Sequence, residues 1–165
     1  MSINVGFLIE IDRETTNTRR LLERIEDKHF SYKPHEKSMS LGALANHIVE
    51  LHNWVKAGLS VDEFDLAVHY KPLKATSKDE LLSILNDGLA INKSFIESMT
   101  DLEWQKLWKM TYGDHIIAEV PKIGALRFII QNHLIHHRGQ LTVYMRLLDI
   151  PLPGLYGPSA DEQNG

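Results

Sequence analysis

The chain has 165 residues, 43% of them hydrophobic, and a formal net charge of −4 from 18 basic and 22 acidic side chains. That length and composition suit one globular domain over 1–165, and the acidic balance argues against general attraction to nucleic acid or an anionic membrane. Cysteine is absent, which excludes disulfides, thiolate ligands and a cysteine nucleophile. The opening "MSINVGFLIEIDRETT" has no basic, apolar leader, and no apolar run approaches the roughly 20 residues that span a bilayer, so a cytoplasmic protein is expected.

Four helices are predicted in chain order. The first covers about residues 3–26, with Val5, Leu8, Ile9, Leu21, Leu22 and Ile25 as its apolar positions. "SYKPHEKSMS" breaks it, because Pro34 lacks a donor and disfavours helix at Lys33. Ser40 is the predicted N-cap of the second helix, whose apolar positions are Leu41, Leu44, Ile48, Leu51 and Val55, with Gly58 as its stop. A long connection over 60–76 contains Pro72. Ser77 and Glu80 then match a capping box and open a third helix, with Leu81, Leu82, Ile84, Leu85, Leu89 and Ile91 on its core face and its end near Met99.

"LWKMTYGDHIIAEV" reads as a small hairpin turned at Gly113-Asp114. Pro121 suits the first turn of the last helix, where its missing N–H costs nothing. That helix is predicted to run to about Leu148 and to stop before Pro151 and Pro153, leaving an irregular tail. Four helices of this length in one small chain predict an all-α four-helix bundle with a small β-hairpin before the last helix.

The last helix places three histidines within five positions. Leu126, Ile130, His133, His137, Leu141, Tyr144 and Leu148 follow one another by three or four residues, a core-facing stripe at about 100° per residue. His133 and His137 lie one turn apart, about 5–6 Å between Cβ atoms, so both imidazoles can reach one divalent ion. His136 points about 100° away. A lone histidine on an apolar face is usually a hydrogen-bonded core residue, but two buried without partners would cost roughly 1–3 kcal/mol each. A third ligand has to come from another helix, and the second helix offers His47 and His52. Both lie some 60–80° from its mean apolar direction, so periodicity does not choose between them. Three histidines with one open position would make a catalytic type of site.

The run "NHLIHHRGQLTVYMRLLDIPLPGLYGP" resembles the C-terminal signature of the DinB-like (DinB/YfiT) superfamily, and "LGALANHIVELHNWV" resembles that family's second helix. The resemblance implies a bundle of up-down-down-up connection, with 60–76 as the crossover. It implies that His47, His133 and His137 hold a divalent metal ion, nickel or zinc, with water completing the shell, while His52 and His136 stand by. It further implies a metal-dependent enzyme acting on a small molecule, either a hydrolase or a transferase using a low-molecular-weight thiol, and a homodimer. The alternatives are a metal-stabilised stress-response or interaction protein without enzymatic activity, and a metal-free interaction module with a polar histidine core.

Around the histidines, Arg138 and Gln140 are expected to face away from the metal and to serve ion pairing or helix packing. Gly139 is expected where another helix or the tail comes close. Tyr144 is read as aromatic core, with a hydrogen bond toward a ligand as its second role. Trp54, Trp104 and Trp108 are read as core and hairpin anchors. The tail "PGLYGP" is expected to fold over one end of the bundle and wall the pocket, bringing Tyr156 toward substrate.

Overall fold

The computed structural model describes residues 3–162, so the tail expectation for 163–165 lies outside the described residues. Helix α1, Ile3–Leu22, ends short of residue 26, and a 3-10 turn at Asp27–His29 follows. Its inner face is partly polar: Glu14, Thr15 and Thr18 are buried with Phe7, Ile11, Leu21 and Leu22, whereas Val5 and Ile9 face solvent. An apolar periodicity count misreads such a face, because buried polar groups occupy positions it assigns to solvent.

Helix α2, Leu41–Leu59, begins where Ser40 accepts a hydrogen bond from the Ala43 backbone N–H, as expected of that cap. Gly58 is not its stop. It sits in the last turn, and its carbonyl accepts the Trp108 indole N–H at 2.9 Å. The 60–76 connection carries strand β1, Glu63–Asp65, and the short helix α3, Leu66–His69. Helix α4, Lys78–Ser98, is capped by the Ser77 side chain, but the Glu80 carboxylate turns back to the Thr76 N–H and leaves the box half made. Ile91, expected in its core, is exposed, and Asn92 is buried in its place. The box with both halves opens the next helix, α5, Asp101–Trp104, between Thr100 and Glu103.

The hairpin forms as expected from strands β2, Leu107–Tyr112, and β3, His115–Pro121, with Gly113 at a φ of +56° in the turn. A bulge lies between Met110 and Thr111. What the sequence reading lacked is β1, which pairs parallel to β2 and makes a three-stranded sheet ordered β1-β2-β3. Three residues joined across more than 40 positions leave no local pattern to find.

Pro121 ends β3 and caps helix α6, Lys122–Gly124, one position before the predicted first turn. The helix continues through a π segment, Ala125–Gln131, into α7, Asn132–Leu147. Helices α1 and α2 both pack on α4, α2 packs on α7, and the Arg138–Glu14 contact closes α7 against α1. One apolar cluster, with Leu21, Leu44, Ile48, Leu85, Leu141 and Met145, fills the middle of the bundle. A second, with Phe7, Trp104, Trp108 and Leu126, joins the sheet to it, and Trp54 packs against both. Trp104 and Trp108 thus anchor core and sheet. Among the described residues no helix is long and apolar enough to cross a membrane.

Candidate metal centre

The π segment decides which side of α7 is buried. Each i→i+5 turn carries an extra residue relative to an α turn, so the face presented to the core slips along the sequence. Leu126 and Ile130 are buried as the stripe requires, but the stripe then continues through Leu134, Arg138, Leu141 and Met145. His133 and His137 are therefore half-buried on the flank that looks toward α2, and His137 is not the centre of the core face. Residue types at α spacing could not reveal the slip.

On that flank His47 of α2 meets both. Its ring centroid lies 5.2 Å from that of His133 and 4.8 Å from that of His137. The Nε2 atoms of His133 and His137 are 2.8 Å apart, and one nitrogen from each of the three rings lies within 4.8 Å of the others. Tetrahedral ligands about 2.0–2.1 Å from an ion sit about 3.3 Å from one another. These separations bracket that value.

Two of the opposite ring nitrogens are engaged. His47 Nδ1 is 2.9 Å from a Glu50 carboxylate oxygen, and His137 Nδ1 is 2.7 Å from Gln140 Oε1. His133 is hydrogen-bonded to the Ile129 backbone one turn earlier. Burial alone would raise the Glu50 carboxyl, but donors from His47, Leu73 and Tyr70 outweigh it and hold it below its ordinary range. An ionised carboxylate only accepts, so His47 carries its proton on Nδ1 and turns an Nε2 lone pair inward. Gln140 offers Oε1 to His137 while its amide nitrogen, 3.1 Å from His136 Nε2, faces an acceptor, which places the His137 proton on Nδ1 as well. Burial, then the neighbouring imidazoles, push His133 down to about 4, and burial lowers His137. The Nε2 atoms of His133 and His137 face each other across 2.8 Å, a contact that a shared proton or a shared cation satisfies. The donor set fits a divalent metal ion, with outer partners of the kind that orient metal-bound histidines.

The remaining candidates go elsewhere. His52 is buried against α1, with Nε2 2.9 Å from Thr15 Oγ1 and Nδ1 2.9 Å from Asn53 Oδ1, and burial drives its pKa down to about 4. His136 is exposed, its ring 5.0 Å from that of His137. Gln140 corrects the expectation that it faces away, since it holds His137. Glu50 and Gln140 each lie three residues beyond a histidine of the cluster, a same-face spacing that could have drawn attention to both. Gly139 has nothing within 4 Å of where a Cβ would stand, so no close approach explains it. A tight approach occurs instead at Gly88, against Asn53.

Arg138 makes the ion pair expected of it, and deeply: 1% exposed, it binds the Glu14 carboxylate, the Glu14 carbonyl at 3.0 Å and Thr18 Oγ1 at 3.2 Å. The Tyr156 hydroxyl meets Glu14 at 2.7 Å and the Arg138 guanidinium. The tail is thereby laid along the α1–α7 seam, where Arg20 also bonds Gly154 and Glu162 and Arg146 bonds Asp161. It walls that seam and not the histidine flank, and Tyr156 is engaged there. The Tyr144 hydroxyl donates to the Met39 carbonyl at 3.3 Å, and its ring stands edge-on to Tyr32, so its role is packing.

The model of the DinB family matches residues 1–164. YrdA, an uncharacterized protein of Bacillus subtilis (strain 168), is 26% identical over 156 residues, spanning 94% of this chain and 89% of YrdA. A DinB-like crystal structure from Bacillus cereus ATCC 10987 has a TM-score of 0.71 at 26% identity, covering 94% of this chain and 98% of its own. YfiT from Bacillus subtilis, described as a probable metal-dependent hydrolase with an unusual four-helix bundle topology, has a TM-score of 0.66 at 11% identity, covering 89% and 88%. At that identity YfiT speaks for the fold alone.

Proposed function

Because the chain belongs to the DinB family, we propose that it is a metal-dependent enzyme whose ion is held by His47, His133 and His137. One observation carries this reading: three imidazoles converge while the far nitrogens of two of them are committed to Glu50 and Gln140. A divalent ion, zinc or nickel, supplies Lewis-acid chemistry at its open position, acidifying a water or thiol and polarising a carbonyl.

The chain's own residues prepare that position. Burial keeps His133 and His137 unprotonated, and so able to bind a cation, near neutral pH. Glu50 and Gln140 fix ring orientation. The half-buried setting leaves the histidines within reach of a small-molecule substrate. With no cysteine in the chain, a thiol would enter as a cosubstrate. Hydrolysis or thiol transfer, the up-down-down-up helix order and a homodimer complete the proposal.

Metal analysis of protein purified without a polyhistidine tag tests it. One ion per chain is expected, lost in His47→Ala and in His133→Ala, together with turnover of an ester panel or of a thiol with electrophiles. Unchanged metal content in both variants eliminates the triad, and a full ion complement without turnover leaves the ion a structural role.

A further inference from the structure

Each of the three histidines is oriented from its own helix, but only the partner on α2 is itself held from outside that helix. His133 leans on the Ile129 backbone and His137 on Gln140. His47 depends on Glu50, one turn along α2, and Glu50 in turn depends on a distant segment. Its Oε2 lies 2.9 Å from His47 Nδ1 and accepts the Tyr70 hydroxyl at 3.0 Å. Its Oε1 accepts the Leu73 backbone N–H. Tyr70 and Leu73 both belong to the crossover between α2 and α4, and the Tyr70 ring stands edge-on to Trp54 at 5.8 Å.

Glu50 is 8% exposed, so each donor to its carboxylate replaces water it has lost. Beside Glu50 the crossover leaves a cleft of about 200 Å³, lined also by Trp54, Phe64, Lys71 and Leu73. Three hydrogen bonds orient the carboxylate, two of which come from the crossover.

We propose that Glu50 is the positioning residue for His47, and that Tyr70 and Leu73 hold Glu50 in that role, so the crossover sets how tightly the histidine centre grips its ion. The proposal rests on the metal-centre reading above. Glu50 fixes the Nδ1–H tautomer and the ring angle of the one ligand contributed by α2. A carboxylate that loses a donor from the crossover is free to rotate, and the His47 lone pair then leaves the direction shared with His133 and His137. Partners of this kind commonly change metal affinity 10- to 100-fold when removed.

The test uses the full, untagged chain, with zinc affinity read by competition with a chromophoric chelator and ligand geometry read from the visible spectrum of the cobalt(II)-loaded protein. Tyr70→Phe keeps the ring and removes only the hydroxyl. It is expected to weaken zinc binding about 10-fold and to shift the cobalt spectrum, with the melting temperature of the metal-free protein unchanged. Glu50→Gln, which cannot serve three donors, is expected to weaken binding further, toward about 100-fold. Lys71→Gln, in the same segment, is expected to bind as wild type does. Wild-type affinity and spectrum in both Tyr70→Phe and Glu50→Gln would overturn the proposal. So would an affinity loss matched by a lower melting point of the metal-free protein, which marks a structural role only. A wild-type chain that takes up no ion removes the centre itself, a failure distinct from either.

Discussion

His137 and Arg138 are neighbours in sequence, yet they face two seams of the bundle that handle polar groups in opposite ways. On the α1–α7 seam Arg138 is fully buried, and its charge is met from within by Glu14, Thr18 and Tyr156. On the α2–α7 seam the imidazoles are half-buried, with Nδ1 of His47 and of His137 held by neighbouring side chains and Nε2 of His133 facing Nε2 of His137. The first seam is complete as folded; the second has room for a cation. Burial of a polar group is thus no sign of function by itself. What separates the two is whether the protein supplies every partner.

The largest effect expected from this contrast is at the closed seam. Arg138→Ala would leave the Glu14 carboxylate buried without its counter-charge, a loss of about 3–5 kcal/mol by chemical denaturation. Metal content of the folded fraction should be unchanged, and an Arg138→Ala protein that folds but has lost its ion would show that the seams are not independent. His52 offers an intermediate case, a histidine whose two nitrogens are both engaged internally. Its folded pKa of about 4 lies below the ordinary 6.5, so the unfolded chain binds the proton first. The stability this represents is fully present above pH 6.5 and is lost as pH falls toward 4, on the order of 3 kcal/mol in all. Denaturation of the metal-free protein across that range should show a steeper slope for wild type than for His52→Gln, and equal slopes would refute the assignment. The smallest effect is at Gly139, exposed within α7 with open space around it. Gly139→Ala should raise stability by roughly 0.5–1 kcal/mol and leave metal affinity unchanged, whereas a weakened site would mean that this face of α7 serves something besides helix formation.

Much of this arrangement is legible in the residues. Ser40 and Ser77 cap the helices they were expected to cap, the Gly113-Asp114 turn joins two strands, and α7 stops before Pro151 and Pro153, with Asp149 at a φ of +56° just past its end. His133 and His137 share a flank because a four-residue spacing on a helix permits nothing else. Other features were out of reach. Val5 and Ile9 looked like core positions but are exposed, because α1 buries Glu14, Thr15 and Thr18, whose value depends on Arg138 and His52 arriving from other helices. Strand β1 is three residues long and finds its partner far along the chain.

The choice between His47 and His52 marks the boundary most clearly. Local spacing and capping are carried by short-range sterics and hydrogen bonds, so elements, turns and the i,i+4 pair follow from neighbouring residues. The rotation of α2 in the bundle is not local. It depends on Thr15 and Asn92 drawing His52 to one side while α7, its register slipped by the π segment, receives His47 on the other. Which histidine meets the pair on α7 is therefore a property of four packed helices, because only their packing sets the angle from which each side chain sees its neighbours.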